Sequence, residues 1–488
     1  MSPAETGSAA PSGALTPAHD EHGPEGAPPG FVAAVREALR GSHRDFTSGP
    51  LGTAILILAV PMVLEMVMES VFAVVDVFFV ARLGADAVAT VGITESMLSA
   101  VYAIAIGLSI GATAMVARRY GEGDREGAAH SAAQALGLGL VVALVIGLAG
   151  ALLAPRLLAT MGASASVVAS GSGYTRMMFA GNVSILMLFL VNAVFRGAGD
   201  AAIAMRVLWL ANALNIVLAP CLIFGVGPFP KLGVTGAAVG TTIGRGIGVL
   251  FALSRLLNGR GRLVVRRPHW RFDPALVRRI VNLSSSATVQ VFIGTASWLG
   301  LVKIISAFGS DAVAGYTIGL RVIIFALLPA FGITNAAATM VGQALGAHKP
   351  ERAERAVWVA GGYATVFLGA IGVAFVLLAN QIVAIFTHDP NVARYATQCL
   401  RTIALGFLFY GYGMTFTQSF NGAGDTRSPT LLNLLCFWMF ELPLAWLLAD
   451  RFGMGPRGAF IAMTAAFSLM AFAGGWLFRR GAWKTRRV

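Results

Sequence analysis

Three carboxylates stand inside one apolar stretch. From Pro50 to Gly84 the chain reads PLGTAILILAVPMVLEMVMESVFAVVDVFFVARLG, long enough to cross a bilayer as a helix, yet it carries Glu65, Glu69 and Asp76. At about 100° per residue Glu69 lies about 40° round from Glu65 and Asp76 returns to about 20°, so the three share one narrow stripe. An Asp near the middle of a membrane helix disfavours insertion by roughly 2.5–3.5 kcal/mol, against roughly −0.3 to −0.6 for each Leu, Ile, Val or Phe. Such a stripe faces protein or water rather than lipid. It either serves an ion or proton relay or fixes helix packing by pairing with buried Arg or Lys. Glu65 and Glu69 are one turn apart, about 6 Å, so in a poorly hydrated cavity their simultaneous ionisation is disfavoured. Such a pair would hold a proton near neutral pH. Pro61 removes a backbone hydrogen bond one turn before Glu65 and gives this helix a place to bend.

The elements that must position these acids follow from composition. The 488 residues are 56% hydrophobic and 12% charged, with a mean hydropathy of +0.74, which excludes an ordinary soluble domain. Apolar segments of about 20 residues or more, divided by short loops with Gly, Pro or charge, read as membrane helices. The expected spans are 52–81, 89–117, 128–154, 167–195, 202–226, 233–256, 279–308, 313–342, 355–386, 392–419, 428–449 and 457–478. Most of the 36 Lys and Arg fall on the side of the two termini, which puts both termini in the cytoplasm of a multi-pass inner-membrane protein. The +13 net charge is thereby topology. The linker run of Arg255, Arg260, Arg262, Arg266, Arg267, Arg271, Arg278 and Arg279 suits anionic lipid headgroups, and no aromatic interleaving or binding motif accompanies it to suggest nucleic acid.

A single constant shift along the chain superposes Gly84, Asp86, Ala87, Val88 and Ala89 on Gly309, Asp311, Ala312, Val313 and Ala314. It also carries Met115, Val116, Gly121 and Glu126 to Met340, Val341, Gly346 and Glu351, and FRGAGD (Phe195 to Asp200) to FNGAGD (Phe420 to Asp425). The fold class expected is therefore an all-α integral membrane protein, twelve helices in two six-helix bundles related by a parallel 6+6 repeat, with a central cavity and alternating access. Residues 1–48 are expected as a disordered cytoplasmic tail in which FVAAVREAL, Phe31 to Leu39, has the makings of a short interfacial helix. Residues 49–256 make the N-lobe, 257–277 a basic cytoplasmic linker, 278–480 the C-lobe and 481–488 a basic cytoplasmic tail. The shift takes Glu65, Glu69 and Asp76 to Gln290, Gly294 and Leu301, so the acidic stripe belongs to the N-lobe alone. The Gly-Ala-Gly-Asp loops occur in both lobes and read as structural: Gly for a left-handed turn, Asp to cap the next helix.

Other polar residues weigh less. Glu441, mid-span in CFWMFELPLAW, is the second-lobe candidate, and Glu95 lies near the start of its span. Arg245, Lys303 and Arg321 either pair with acids, the expectation for each, or line the cavity. His19, His22 and His43 belong to a solvated tail, and His348 and His388 to loops. Cys221, Cys399 and Cys436 are scattered in apolar runs without disulfide or metal spacing. No phosphate-binding GxxxxGK[ST] occurs, and no nucleophile, base and metal constellation suggests an enzyme.

The chain resembles the multidrug and toxic compound extrusion (MATE) family from residue 50 to the last span. The likeness rests on LAVPMVLE (Leu58 to Glu65), VVDVFFVARLG (Val74 to Gly84), NALNIVLAPCLIFG (Asn212 to Gly225), both GAGD loops and the 6+6 repeat. The resemblance implies a V-shaped pair of bundles exporting cationic or amphipathic organic compounds against protons or sodium ions. No cofactor besides the coupling ion is expected, and the expected state is a monomer. It further implies that Asp76 is the ion-coupling acid of the first helix, the place a sodium ion would take, and that Pro61 is its bending proline. Asn192 and Asn215 match asparagines near the N-lobe ion site of the DinF-like branch. That branch carries Asp where this chain has Ala219, and the NorM-like branch carries acids where this chain has Gly294 and Tyr410; Glu65 and Glu69 stand as replacements for that lost charge. Three function classes follow: a cation-coupled exporter, favoured by the acidic stripe; a flippase for an anionic lipid-linked precursor, which a basic cavity with Lys303 and Arg321 would favour; and a scaffold or receptor, against which the repeat and buried charge argue.

Overall fold

A computed structural model describes residues 30–259 and 261–486, and among these every regular element is helical. A short helix α1 (Phe31–Arg40) precedes the N-lobe, which comprises α2 (Leu51–Ala81), α3 (Ala85–Gly121), α4 (Arg125–Thr160), α5 (Ala165–Ala180), α6 (Asn182–Gly197), α7 (Ala201–Phe224) and α8 (Val234–Leu257). The C-lobe comprises α9 (Pro274–Ser306), α10 (Ser310–Gly346), α11 (Pro350–Ala384), α12 (Pro390–Ala404), α13 (Phe407–Gly422), α14 (Arg427–Arg451) and α15 (Pro456–Arg479). Eleven of the described helices, counting α5 with α6, are long and apolar enough to cross a membrane. The twelfth span is α12 followed by α13. The fourth span of each lobe is thus broken at the same repeat position, Gly181 in one and Gly406 in the other.

Local chemistry sets the boundaries. Side chains of Asp124, Asp273 and Asp389 accept hydrogen bonds from the first free backbone N–H groups of α4, α9 and α12, and Pro274 and Pro390 fill first-turn positions that need no N–H donor. The GAGD loops turn at Gly199 (φ 81°) and Gly424 (φ 80°), a left-handed conformation that costs glycine nothing. Their aspartates do not act alike. Asp200 makes no side-chain cap to α7, whereas Asp425 accepts from the Ser428 hydroxyl at 2.6 Å and faces Arg486 at 3.7 Å.

The expected disordered tail is corrected at its end. Residues before 30, with His19 and His22, lie outside the described residues. Phe31 to Arg40 is a helix that buries Ala34 and Ala38, and the strap after it buries Phe46. Burial of these few apolar side chains, with arginines holding the strap's carbonyls, outweighs its polar composition. The last described residues are also docked: Trp483 is buried and stacks on Phe478 at 4.6 Å.

The lobes are not independent. Ile55, Leu58 and Met62 of α2 share one apolar core with Ile333, Ala337 and Met340 of α10 and with Ala360 of α11. Small residues allow the close approach: Gly332 lies on the backbone of Met62 and Val63, Gly342 on Ala117, and Gly107 and Gly111 of α3 on Thr288 and Ser284 of α9. These contacts lie in the halves of the helices that lead to the described termini, so the molecule is sealed at that end.

Candidate functional site

Above this seal the lobes enclose a cavity of about 320 Å³ lined by α2, α3, α6, α7 and α8 on one side and α10 and α13 on the other. Each of its two acids has an arginine from another N-lobe helix. Glu65, 2% exposed, accepts from Arg196 Nη1 at 2.8 Å and from Asn192 Nδ2 at 3.1 Å; its second oxygen, Oε2, is buried without a partner. Glu69, 27% exposed, accepts from Arg245 Nη2 at 3.3 Å and from Asn212 Nδ2 at 3.0 Å. Arg245 is only 4% exposed and packs over the Phe72 ring at 5.4 Å, while its Nε and Nη1 have no partner. The two pairs differ in kind: Glu65 is held short and dry, and Glu69 is held longer and open to the cavity.

Of the residues singled out from sequence, Glu65, Glu69 and Asn192 meet on the cavity wall. Pro61 is buried in α2 one turn below Glu65. Asp76 lies beyond the cavity lining, half-buried, with Oδ1 unpartnered and with Glu95 and Arg245 as charged neighbours. Asn215 turns to Thr241 Oγ1 at 2.7 Å instead of an acid. Glu441 closes a stretch of wider π-type turns, Leu434–Glu441, and is 1% exposed inside the C-lobe with Oε2 unpartnered, away from the cavity. Ala219 is buried in the N-lobe core and Tyr410 stacks on Phe467 at 3.9 Å, so neither position reaches the cavity. The ion pair expected of Arg245 is present. Lys303 and Arg321 are exposed and belong to no ion pair among the described residues; Glu95 is the charged neighbour of Arg321, beyond ion-pair distance.

Arg196 was overlooked because it sits in FRGAGD, a motif read as a loop; the repeat carried the signal. The shift that takes Glu65 to Gln290 takes Arg196 to Asn421 and Glu69 to Gly294, and with the starts of α8 and α15 matched at Gly233 and Gly455, Arg245 falls at Phe467. Acid and base are replaced together, as expected where an unpaired buried charge is costly. The C-lobe wall has a neutral amide chain instead: Asn421 Nδ2 donates to Gln418 Oε1 and Gln418 Nε2 to Asn335 Oδ1, each at 2.8 Å. These three amides and Asn212 gave no signal of their own in the sequence, because polar uncharged residues are common at membrane helix contacts.

Comparison with known proteins follows the same outline. The sequence pattern of the MatE family matches residues 61–221 and again residues 287–447, one copy in each lobe. The chain is 26% identical over 438 residues to a probable multidrug resistance protein NorM of Thermotoga maritima, covering 88% of this chain and 93% of that one. It is 25% identical over 439 residues to an FAD transporter of Shewanella oneidensis, covering 89% and 95%. A solved structure described as the outward-facing conformation of a multidrug resistance MATE family transporter of the MOP superfamily superposes with a TM-score of 0.85 at 26% identity, covering 90% of this chain and 98% of that one. With both halves matched and the fold shared over nearly its whole length, the chain belongs to the MatE family and is a MATE efflux transporter.

Proposed function

We propose that the protein exports organic cations and amphipathic compounds across the cytoplasmic membrane in exchange for protons or sodium ions, with Glu69 as the exchanging acid. It works as a monomer with both termini in the cytoplasm, its basic linker facing anionic headgroups. The observation that carries this reading is the difference between the two ion pairs. Glu65 is sequestered with Arg196 and fixes α2 against α6. Glu69 reaches the cavity, and its bond to Arg245 is long enough for a cation to displace. The displaced guanidinium has a second acceptor in Asp76, whose buried Oδ1 is unpartnered. A proton or sodium ion arriving from outside on the first-helix acids then competes with the bound cation and expels it, and mutually exclusive occupancy couples the two movements. Each inward proton supplies roughly 2.3 kcal/mol per 100 mV and about 1.36 kcal/mol per pH unit; a monovalent cation leaving against the potential returns the first amount, so one-for-one exchange runs on the pH difference.

Efflux of a fluorescent organic cation from oriented proteoliposomes tests this under an imposed pH or sodium gradient. Transport is expected under one gradient, to be lost in Glu69→Gln and in Asp76→Asn. Unchanged transport in both variants returns these acids to a packing role. A second reading, movement of an anionic lipid-linked precursor, is favoured by the two unpartnered nitrogens of Arg245 in the cavity wall. It takes precedence if neither gradient drives a cation.

A further inference from the structure

A second, smaller pocket of about 120 Å³ opens at the terminus-bearing end of the N-lobe, remote from the central cavity. Arg40 and His43 after α1, Arg206 of α7 and Arg255 of α8 converge on it, with Asp200 as the single acid in its wall. Asp200 is 8% exposed; burial pushes its carboxyl up, against the pull of Arg262 and His43. Arg206 spends one nitrogen, Nη2, on the terminal carbonyls of α1, donating to Leu39 O at 2.7 Å and Arg40 O at 2.9 Å. Arg255 makes no ion pair among the described residues and lies over the Phe251 ring at 5.2 Å, its guanidinium edge left for another acceptor. The pocket is therefore built for an anion.

The surroundings name its source. Helix α1 buries Ala34 and Ala38 but leaves Phe31 68% and Val32 77% exposed, an arrangement suited to lying in an interface. On α8, exposed Ile243, Ile247, Leu250 and Leu257 form one apolar face that reaches the same end of the N-lobe as Arg255. Arg206 and Arg255 stand within two turns of the helix ends Ala201 and Leu257, at headgroup depth.

We infer that the pocket formed by Arg40, Arg206 and Arg255 beneath α1 binds the phosphate of an anionic phospholipid, whose headgroup ties α1 and the start of the first membrane helix to the N-lobe. Each arginine near an anionic surface contributes about 1 kcal/mol, about fivefold in affinity.

The test is lipid titration of the full-length protein by native mass spectrometry, offering phosphatidylglycerol, phosphatidylcholine or inorganic phosphate. Phosphatidylglycerol is expected to be retained in preference to phosphatidylcholine, with about fivefold weaker retention in each of Arg206→Gln and Arg255→Gln. Retention is expected to be preserved in Arg255→Lys, which keeps the charge, and in Arg355→Gln/Arg427→Gln, which removes exposed C-lobe charge outside the pocket. Equal retention of the two lipids, or equal loss in the C-lobe variant, overturns the proposal. Displacement of phosphatidylglycerol by inorganic phosphate at comparable concentration assigns the site to free phosphate and overturns the lipid assignment. Melting of the variants in phosphatidylcholine alone, unchanged from wild type, separates loss of binding from misfolding.

Discussion

Glu65 and Arg196 are a matched pair whose value depends on both members being present. Removing one partner of a buried ion pair costs about 3–5 kcal/mol, because the remaining charge stays dry and uncompensated. Glu65→Gln alone is therefore expected to lower the melting temperature sharply, and Arg196→Asn likewise. The double variant Glu65→Gln/Arg196→Asn installs the residues that the second lobe already uses, Gln290 and Asn421, and is expected to recover most of the loss. A double-mutant cycle by thermal denaturation in detergent reads the coupling; additive losses would show that the two side chains do not act as a pair. At this scale the sequence was informative about acids and poor about bases. A carboxylate in an apolar span stands out by its insertion cost, whereas Arg196 lies beside a glycine-rich motif near a helix end, where arginine is unremarkable.

The strap after α1 joins the lobes at the sealed end. Arg262 of the linker donates to Arg44 O at 2.7 Å and to Gly199 O at 3.1 Å, holding the strap to the N-lobe. Two residues on, Arg352 of α11 donates to Phe46 O at 3.0 Å, Ser48 O at 2.6 Å and Gly49 O at 2.8 Å, and Lys349 donates to Thr47 O at 2.9 Å. Two residues span at most about 7 Å, so the lobes have little slack to part here while both sets of bonds hold. Opening of this end must release one of them. A reversible thiol cross-linker joining Thr47→Cys to Lys349→Cys and Arg44→Cys to Arg262→Cys in one protein is expected to abolish transport, and dithiothreitol to restore it. Whichever cross-link arrests transport alone identifies the attachment that opens, and undiminished transport with both closed refutes the latch. Nothing in the strap's polar sequence announced this role, because its hold is through backbone carbonyls, which every residue possesses. The helix breaks at Gly181 and Gly406 were equally silent, because a lone glycine within a membrane span reads as a helix contact rather than a break.

At the scale of the molecule the repeat was legible, since one constant shift aligned three loops, and the two lobes follow from it. What a repeat does not specify is how its copies meet. The packing of Ile55, Leu58 and Met62 into the C-lobe depends on small residues far away in the chain, Gly332 and Ala337 among them, which read simply as helix formers or breakers. The consequence is a cavity closed from one side only. Its floor is sealed where Thr339 donates to Arg196 O at 3.2 Å and Gln343 to Gly197 O at 2.8 Å, with Gly346 against Arg118 below. Asn335 lies above that floor on the cavity wall. In a protein whose three native cysteines are replaced, Asn335→Cys is expected to react with a membrane-impermeant maleimide added on the side opposite the termini and to resist it from the terminus side. Addition of an exported cation with a reversed gradient should raise labelling from the terminus side at the expense of the other, because one cavity cannot open both ways while a single set of inter-lobe contacts is exchanged. Equal labelling from both sides under all conditions would mean a continuous pore, and coupling through competition at Glu69 would then have no physical basis.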